Sequence, residues 1–396
     1  MRILVTSTID LRRSAHNRLH EFVEHLSHRH DVTVLSIRDW WKAQQTDVSQ
    51  YSHGLENLWQ RVDIQYFTDR KISPIVQELL SVATLGNILR KLGHFDVHFS
   101  YNTLVSGLYT ALRLKAQGIG TVYDLADDLP AMIGTSPQIP PVLRPLGGSF
   151  AWLMIRCNLA LSEKVTLTTQ ALSLPRAFRD KYITLPNGVD IAQFSKKNSD
   201  ELREQLGLID SFVFGYVGVL REWIDLEPTI RALASLRDKG RKVKLLIVGE
   251  EGGLEGPQAL VERYNVSDSV VFTGTVPYAK VPWYISCMDL GLIPFKRNAV
   301  TIGALPLKLL EYMACQVPVL ASRLPGIEQA VGDRVLYATT ADEIVCAINS
   351  LQQKSLDQWQ VEDRRFIEEN FDLKQITSSL EHTLIKVSQT ESKAET

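Results

Sequence analysis

Short apolar, β-rich runs alternate along the chain with longer stretches whose apolar positions return at helical spacing. In the first half, Arg2–Ser7, Asp31–Ile37, Val62–Phe67, Val97–Tyr101, Thr121–Leu125 and Val165–Thr169 predict strands. Tyr182 opens another, which stops at the turn Pro186-Asn-Gly188. Helices are expected between them at Ser14–Leu26, Pro74–Leu92, Leu104–Gln117 and Phe150–Leu161. Polar Ser195–Glu201 interrupts this alternation, which then restarts. Strands follow at Phe212–Val219, Lys244–Gly249, Val270–Thr273, Leu290–Pro294 and Val317–Ala321, with Val335–Tyr337 as a further short run. The matching helices are Leu226–Lys239, Pro257–Tyr264, Val281–Cys287, Pro306–Ala314 and Ala341–Leu351. From Trp359 to about Val387 the chain reads as amphipathic helix, and Ser388–Thr396 as a frayed polar end. Such alternation predicts parallel sheets with helices on both faces, whose ligands bind beyond the carboxyl ends of the strands.

A length of 396 residues exceeds one comfortable core, so the pattern resolves into two domains with a boundary near Asp190–Asp200. The expected class is α/β, with two doubly wound Rossmann-like domains facing each other across a cleft. Composition supports a globular chain, 45% hydrophobic and 22% charged. No apolar run reaches the length of a bilayer span, and Met1–Thr6 enters a strand at once, without the features of a signal peptide. Cys157, Cys287, Cys315 and Cys346 are scattered, which points to reduced thiols and a cytoplasmic protein. Residues 1–190 hold 20 Lys and Arg against 17 Asp and Glu, whereas the rest holds 23 against 28. The basic excess of the first half is too small and too dispersed for a nucleic-acid binder.

The candidate chemistry centres on Ile293–Ser322, a strand, a polar loop, a helix and a second strand. Unpaired N–H groups at the helix start favour an anion. Pro306 suits the first helical position, Lys308 adds a cation, and Glu311 falls on the same face three residues on. A cation and a carboxylate side by side suit a ligand with phosphates at one end and sugar hydroxyls at the other, a nucleotide sugar. A plain surface salt bridge between Lys308 and Glu311 is the competing reading. Gly218, after the first strand of the second half, would let a backbone N–H approach a phosphate, with Arg221 in reach of the same anion. Gly249-Glu250 and Gly274 stand at two further strand ends, so these landmarks gather around one site.

In combination they carry a resemblance. Leu185-Pro-Asn-Gly-Val-Asp-Ile-Ala-Gln-Phe194, Tyr216-Val-Gly218, Leu246-Ile-Val-Gly-Glu250, Val271-Phe-Thr-Gly274, Asp289-Leu-Gly-Leu-Ile-Pro294, Leu310-Glu-Tyr-Met-Ala314 and Val317-Pro-Val-Leu-Ala321 follow in order over roughly residues 182–345. This resembles the nucleotide-sugar-binding domain of the retaining GT-B glycosyltransferases, family 4 and relatives. The resemblance implies an acceptor-binding domain over 1–190, a donor-binding domain over 191–358, and C-terminal helices over 359–396 that cross back. It implies that Lys308 grips the diphosphate, that Glu311 accepts from ribose hydroxyls, and that Gly303, Ala304 and Leu305 face the donor sugar. Backbone near Gly274–Val276 would read the base, and Glu250 belongs to the same donor set. No cofactor and no metal is implied beyond the donor itself. Gly303 stands where the family usually has a sugar-facing glutamate, and Val219 and Ile224 replace a usual Arg and Lys. The branch with Pro306-Leu-Lys-Leu-Leu-Glu-Tyr312 fits better.

In the first half, Asp124, Asp127 and Asp128 cluster after a strand. Asp127, then Asp124, is the candidate to orient an acceptor hydroxyl or act as base; capping of the next helix is the alternative. Arg12, Arg13 and His16 could meet an anionic acceptor or lie in a solvated loop. His16 and His20 at i, i+4 lack a third ligand for zinc. Lys71–Lys91, Trp40-Trp41 and Pro140–Pro145 are candidates for contact with a membrane or acceptor, and the first could instead cover the sheet as a core helix. The expected function is retaining transfer of a sugar from a nucleotide-diphosphate sugar to a hydroxyl acceptor, a lipid-linked or cell-surface glycan precursor. It is placed in the cytoplasm at the inner face of the cell membrane. A nucleotide-sugar-binding protein without catalysis is the alternative.

Overall fold

The computed structural model describes residues 1–14, 16–40, 57–136, 139–249, 257–351 and 356–392. The chain forms two compact units, one of Met1–Pro186 with the segment from Lys374, the other of Asn187–Leu373. In the first, β1 (Arg2–Ser7), β2 (Asp31–Ser36), β3 (Val62–Tyr66), β4 (Val97–Tyr101), β5 (Thr121–Leu125), β6 (Lys164–Leu167) and β7 (Tyr182–Thr184) form one parallel sheet in the order β3-β2-β1-β4-β5-β6-β7. In the second, β8 (Phe212–Val217), β9 (Val243–Val248), β10 (Val270–Gly274), β11 (Leu290–Ile293), β12 (Val319–Ala321) and β13 (Leu336–Tyr337) run parallel in the order β10-β9-β8-β11-β12-β13. Each sheet is doubly wound, so each has a switch point: β1 beside β4, and β8 beside β11. Strands such as β1, β4 and β5 are buried on both faces, which explains why they read as continuous apolar runs.

Two departures from the sequence pattern have physical causes. The expected helical tail is broken into two helices, Leu356–Asn370 and Leu373–Ser392. At the break, Val189 donates to Phe371 O (2.9 Å) and Leu373 donates to Val189 O (3.0 Å), so the chain leaves helical geometry to pair with Val189. The first of these helices lies in the second unit and the other, from Lys374, in the first. The helix expected from Phe150 begins at Arg144, because Gly147 and Gly148 pack it against a helix Leu129–Thr135 that the pattern did not show. A Cβ on Gly148 would stand 3.4 Å from Pro130 O. Glycine there permits the close crossing.

In the first unit, helices Pro74–Leu92, Val105–Lys115 and Arg144–Leu161 pack side by side. The only acidic residue among them is Glu78, and it is buried. Its Oε1 accepts from the N–H groups of Leu104, Val105 and Ser106 (2.9, 2.9 and 3.1 Å), so a side chain from one helix caps the start of the next.

Candidate functional site

The second unit brings Gly218, Lys308 and Glu311 to its switch point. Lys308 is half-buried on helix Leu307–Ala314, which starts one residue later than expected, with Pro306 as the flanking residue. The side chain of Tyr312 fixes this helix to the sheet: its hydroxyl accepts from Val217 N–H at 2.8 Å, and burial raises its pKa well above the ordinary phenol value. At the other end of the helix, Arg364 Nη1 donates to Ala314 O at 2.6 Å, a cation where the dipole favours one.

Lys308 and Glu311 do not pair. Among the described residues Lys308 forms no ion pair. Its ammonium donates to the Tyr216 hydroxyl at 3.2 Å and stands 4.8 Å and 5.8 Å from the ring centroids of Tyr216 and Phe295. Tyr216 OH in turn donates to Val219 O at 3.0 Å. Glu311 is buried, and its Oε1 accepts from Tyr278 OH at 2.8 Å. The surface salt-bridge reading is therefore excluded. A half-buried ammonium that lacks a carboxylate partner is a site for an anion, because the charge has lost part of its hydration without a fixed counter-charge.

Gly218 has φ +124°, and a Cβ there would come within 3.0 Å of Lys308 Nζ. Its N–H does not face a phosphate, as its position at the strand end suggested; it donates to Val248 O at 2.8 Å and continues the ladder between β8 and β9. Glycine is needed for backbone shape and for room beside the lysine. The loop after it is tied to the strand end of β11: Asp225 N–H donates to Pro294 O (2.7 Å) and Lys296 N–H to Trp223 O (2.8 Å). Arg221 projects from this loop, exposed and without an ion pair among the described residues.

The strap Gly303-Ala304-Leu305 precedes the helix. Ala304 N–H donates to Thr301 O (3.1 Å), Gly326 N–H to Ile302 O (2.9 Å), and Asn187 Nδ2 to Leu305 O (2.7 Å). Asn187 belongs to the Pro-Asn-Gly turn, whose residue types signalled a turn and not this tie. Gly274, with φ +66°, is exposed, and Val276 packs against the unit's core. Glu250 lies outside the described residues, as does Trp41.

The carboxylates of the first unit separate into three roles. Asp124 is fully buried; its oxygens accept from Arg18 Nη2 (3.0 Å) and Nε (3.2 Å) and from Thr166 Oγ1. Arg18 also donates to Pro186 O at 2.5 Å. This carboxylate is held within the core by the charge pair and reaches no solvent. Asp128 caps helix Leu129–Thr135, its Oδ1 accepting from Ala131 N–H at 3.0 Å. Asp127 alone is exposed. Asn102 Nδ2 holds its Oδ2 at 2.8 Å, and Asn102 Oδ1 accepts from Ala126 N–H at 2.8 Å, so a residue at the end of β4 orients the loop after β5. The Asp127 pKa is raised, first by loss of hydration in the concave surface it lines and then by the charges of Asp124 and Asp128; Asn102 and Arg18 oppose the rise. A carboxylate of this kind is suited to accept a hydroxyl proton.

In the first loop, Arg13 Nη1 donates to Asp39 O (3.1 Å), and His16 Nε2 meets Glu21 Oε1 at 2.6 Å. Asp10, buried, accepts from Arg12 N–H, Asp39 N–H and Tyr66 OH and builds the loop from within. Among the described residues no group of three or more His, Cys, Asp or Glu side chains is arranged to hold a metal.

Residues 198–370 match the family model for glycosyl transferases group 1. The second unit is a group 1 glycosyltransferase domain. Over 175 residues this chain is 31% identical to the GDP-mannose-dependent alpha-(1-6)-phosphatidylinositol monomannoside mannosyltransferase of Mycolicibacterium smegmatis, covering 42% of this chain and 46% of that protein. It is 30% identical over 160 residues to the D-inositol 3-phosphate glycosyltransferase of Segniliparus rotundus, covering 39% and 34%. The match thus spans less than half the length of either relative. The whole chain is similar in structure to Anabaena HepE solved in complex with UDP, with a TM-score of 0.72 at 20% identity over 98% of this chain and 100% of that one. WaaG, a glycosyltransferase involved in lipopolysaccharide biosynthesis, gives a TM-score of 0.66 at 17% identity over 96% and 99%. The group 1 domain and the doubly wound unit that precedes it have the GT-B fold.

Proposed function

We propose that the chain is a retaining, metal-independent glycosyltransferase that moves a sugar from a nucleotide-diphosphate sugar to the hydroxyl of a lipid-linked or cell-surface glycan precursor. The observation that carries this reading is the half-buried Lys308, set at the switch point of the group 1 domain without an anionic partner among the described residues. Lys308 neutralises the charge that develops on the leaving diphosphate, Glu311 accepts from ribose hydroxyls, and the strap Gly303–Leu305 lies against the donor sugar. Arg221, Gly274, Val276 and Glu250 complete the donor set. In the first unit Asp127 orients the acceptor hydroxyl, while Asp124 supports it through the Arg18 pair. The relative whose name specifies GDP-mannose, and the HepE structure with UDP, support a nucleotide-sugar donor.

The same proposal places the protein at the cytoplasmic face of a membrane. No described helix is long and apolar enough to cross one. The three side-by-side helices of the first unit expose Leu79, Leu80, Leu112, Leu146, Phe150 and Leu153, carry Arg and Lys, and expose no carboxylate. Apolar side chains among cations, without anions, suit an anionic lipid surface.

The test incubates the full chain with a panel of nucleotide sugars and hydroxyl acceptors, with and without chelator, and reads the product's anomeric configuration by NMR. Retention with chelator-insensitive turnover is expected. Donor binding with neither transfer nor hydrolysis would favour a binding protein, which the glycine at position 303 already raises as the rival. Sedimentation with anionic but not neutral vesicles is expected, and its absence would remove the membrane component alone.

A further inference from the structure

Beside Asp127 the first unit contains a cavity of about 550 Å³. It lies where helix Leu129–Thr135 crosses helix Arg144–Leu161, and the segment Leu172–Leu174 closes another side. Its volume is that of a small-molecule site and far exceeds the voids left by ordinary packing. The wall is mainly apolar and includes Pro130, Trp152, Ile155, Leu172 and Leu174. Of the charged groups on it, Asp128 caps a helix, and Arg144 Nε donates to Ile139 O at 3.0 Å. Asp127 is the carboxylate held by a side chain outside the cavity, Asn102, and it is solvent-accessible. A fully hydroxylated acceptor would need hydrogen-bonding groups along the whole wall. This wall supplies side-chain groups of that kind only at Asp127, Asp128, Arg144, Ser149, Trp152 and Ser173 and is apolar over most of its area.

We infer that the cavity binds an apolar group of the acceptor, an alkyl chain or an aryl ring, and so brings the hydroxyl attached to it to Asp127. The inference rests on the transferase reading and names its substrate class: the acceptor is amphiphilic, with its apolar part inside the first unit. Gly134 lines the cavity, and a Cβ there would meet nothing within 4 Å. It is therefore a lining position at which a larger residue starts in open space.

The experiment titrates the full chain by calorimetry with octyl, phenyl and methyl β-D-glucoside, each below any critical micelle concentration. The octyl or the phenyl compound, or both, should bind at least 30-fold more tightly than the methyl compound, with a negative heat-capacity change that reports apolar burial. Preference for octyl assigns an alkyl acceptor, and preference for phenyl an aryl one. Gly134→Phe should weaken that binding at least tenfold while leaving the thermal shift with UDP or GDP unchanged. Ser149→Trp, at an exposed lining position, gives the same test should the first variant fail to fold. Equal binding of the three glucosides, or undiminished octyl and phenyl binding in both folded variants, would overturn the inference. Cavity-dependent binding in a chain that binds no nucleotide would instead overturn the transferase reading and leave the cavity assignment standing.

Discussion

Replacing Lys308 by methionine should separate stability from ligand binding. The ammonium makes one hydrogen bond to an uncharged partner, Tyr216 OH at 3.2 Å, and stands over two aromatic rings. Those contacts are worth about 0.5–1 kcal/mol each and are offset by the hydration the half-buried charge has lost. Methionine keeps the apolar stem and removes the charge, so the net change in stability should stay within about 1 kcal/mol. For a unit of this size that is a shift of about 2–4 °C in Tm. A charge-assisted hydrogen bond to a phosphate oxygen is worth about 1.5–3 kcal/mol. Affinity for a nucleoside diphosphate should therefore fall about 10- to 150-fold. Scanning fluorimetry of the free chain and calorimetric titration with UDP and GDP measure the two quantities. Turnover should be lost as well, since the leaving group would form without its counter-charge. An unchanged affinity would refute the diphosphate role, and a drop in Tm beyond about 8 °C would mean that Lys308 is structural.

Gly218→Ala should lower Tm by about 3–8 °C, since a Cβ at φ +124° costs about 1–3 kcal/mol, and should weaken nucleotide binding because that Cβ would crowd the Lys308 ammonium. Asp124→Asn leaves Arg18 buried without its charge partner and should cost about 3–5 kcal/mol; thermal melts should show early unfolding, with nucleotide affinity of the folded fraction intact. Burial lowers the pKa of His98 to about 3, while its ring hydrogen-bonds Thr6 and Thr121. The unfolded chain therefore takes up the proton first, and the stability present above pH 6.5 declines as pH falls towards 3, by about 2 kcal/mol at pH 5. Melts of the wild type and His98→Gln at pH 7 and pH 5 check this: the variant should lose less Tm between them.

The sheets were legible because parallel strands buried on both faces leave continuous apolar runs; β1, β4 and β5 fall on the predicted residues. Short helices were legible only in part: Pro257–Arg263 and Val281–Ser286 fall where the pattern put them, and others were missed. Leu129–Thr135 is too brief for a helical period, and Pro145-Leu-Gly-Gly148 reads as a breaker although proline at a helix start and glycine at a helix crossing are both favourable there. Lys308 and Glu311 were legible from their spacing on one helix face. Their partners were not: Tyr216 is 92 residues from Lys308, and Tyr278 is 33 from Glu311. The division of labour among Asp124, Asp127 and Asp128 was equally hidden, because it depends on Arg18, 106 residues from Asp124, and on Asn102. Residue type and local spacing show which groups can do chemistry. Only the tertiary partners show which are already engaged.

On the proposed function, the group 1 domain binds a nucleoside diphosphate through Lys308. The most direct test is a calorimetric titration of the wild-type chain with uridine, UMP and UDP, and with guanosine, GMP and GDP. A step of at least tenfold in affinity from the monophosphate to the diphosphate is expected for the preferred base. Equal affinity for monophosphate and diphosphate of both bases would contradict it.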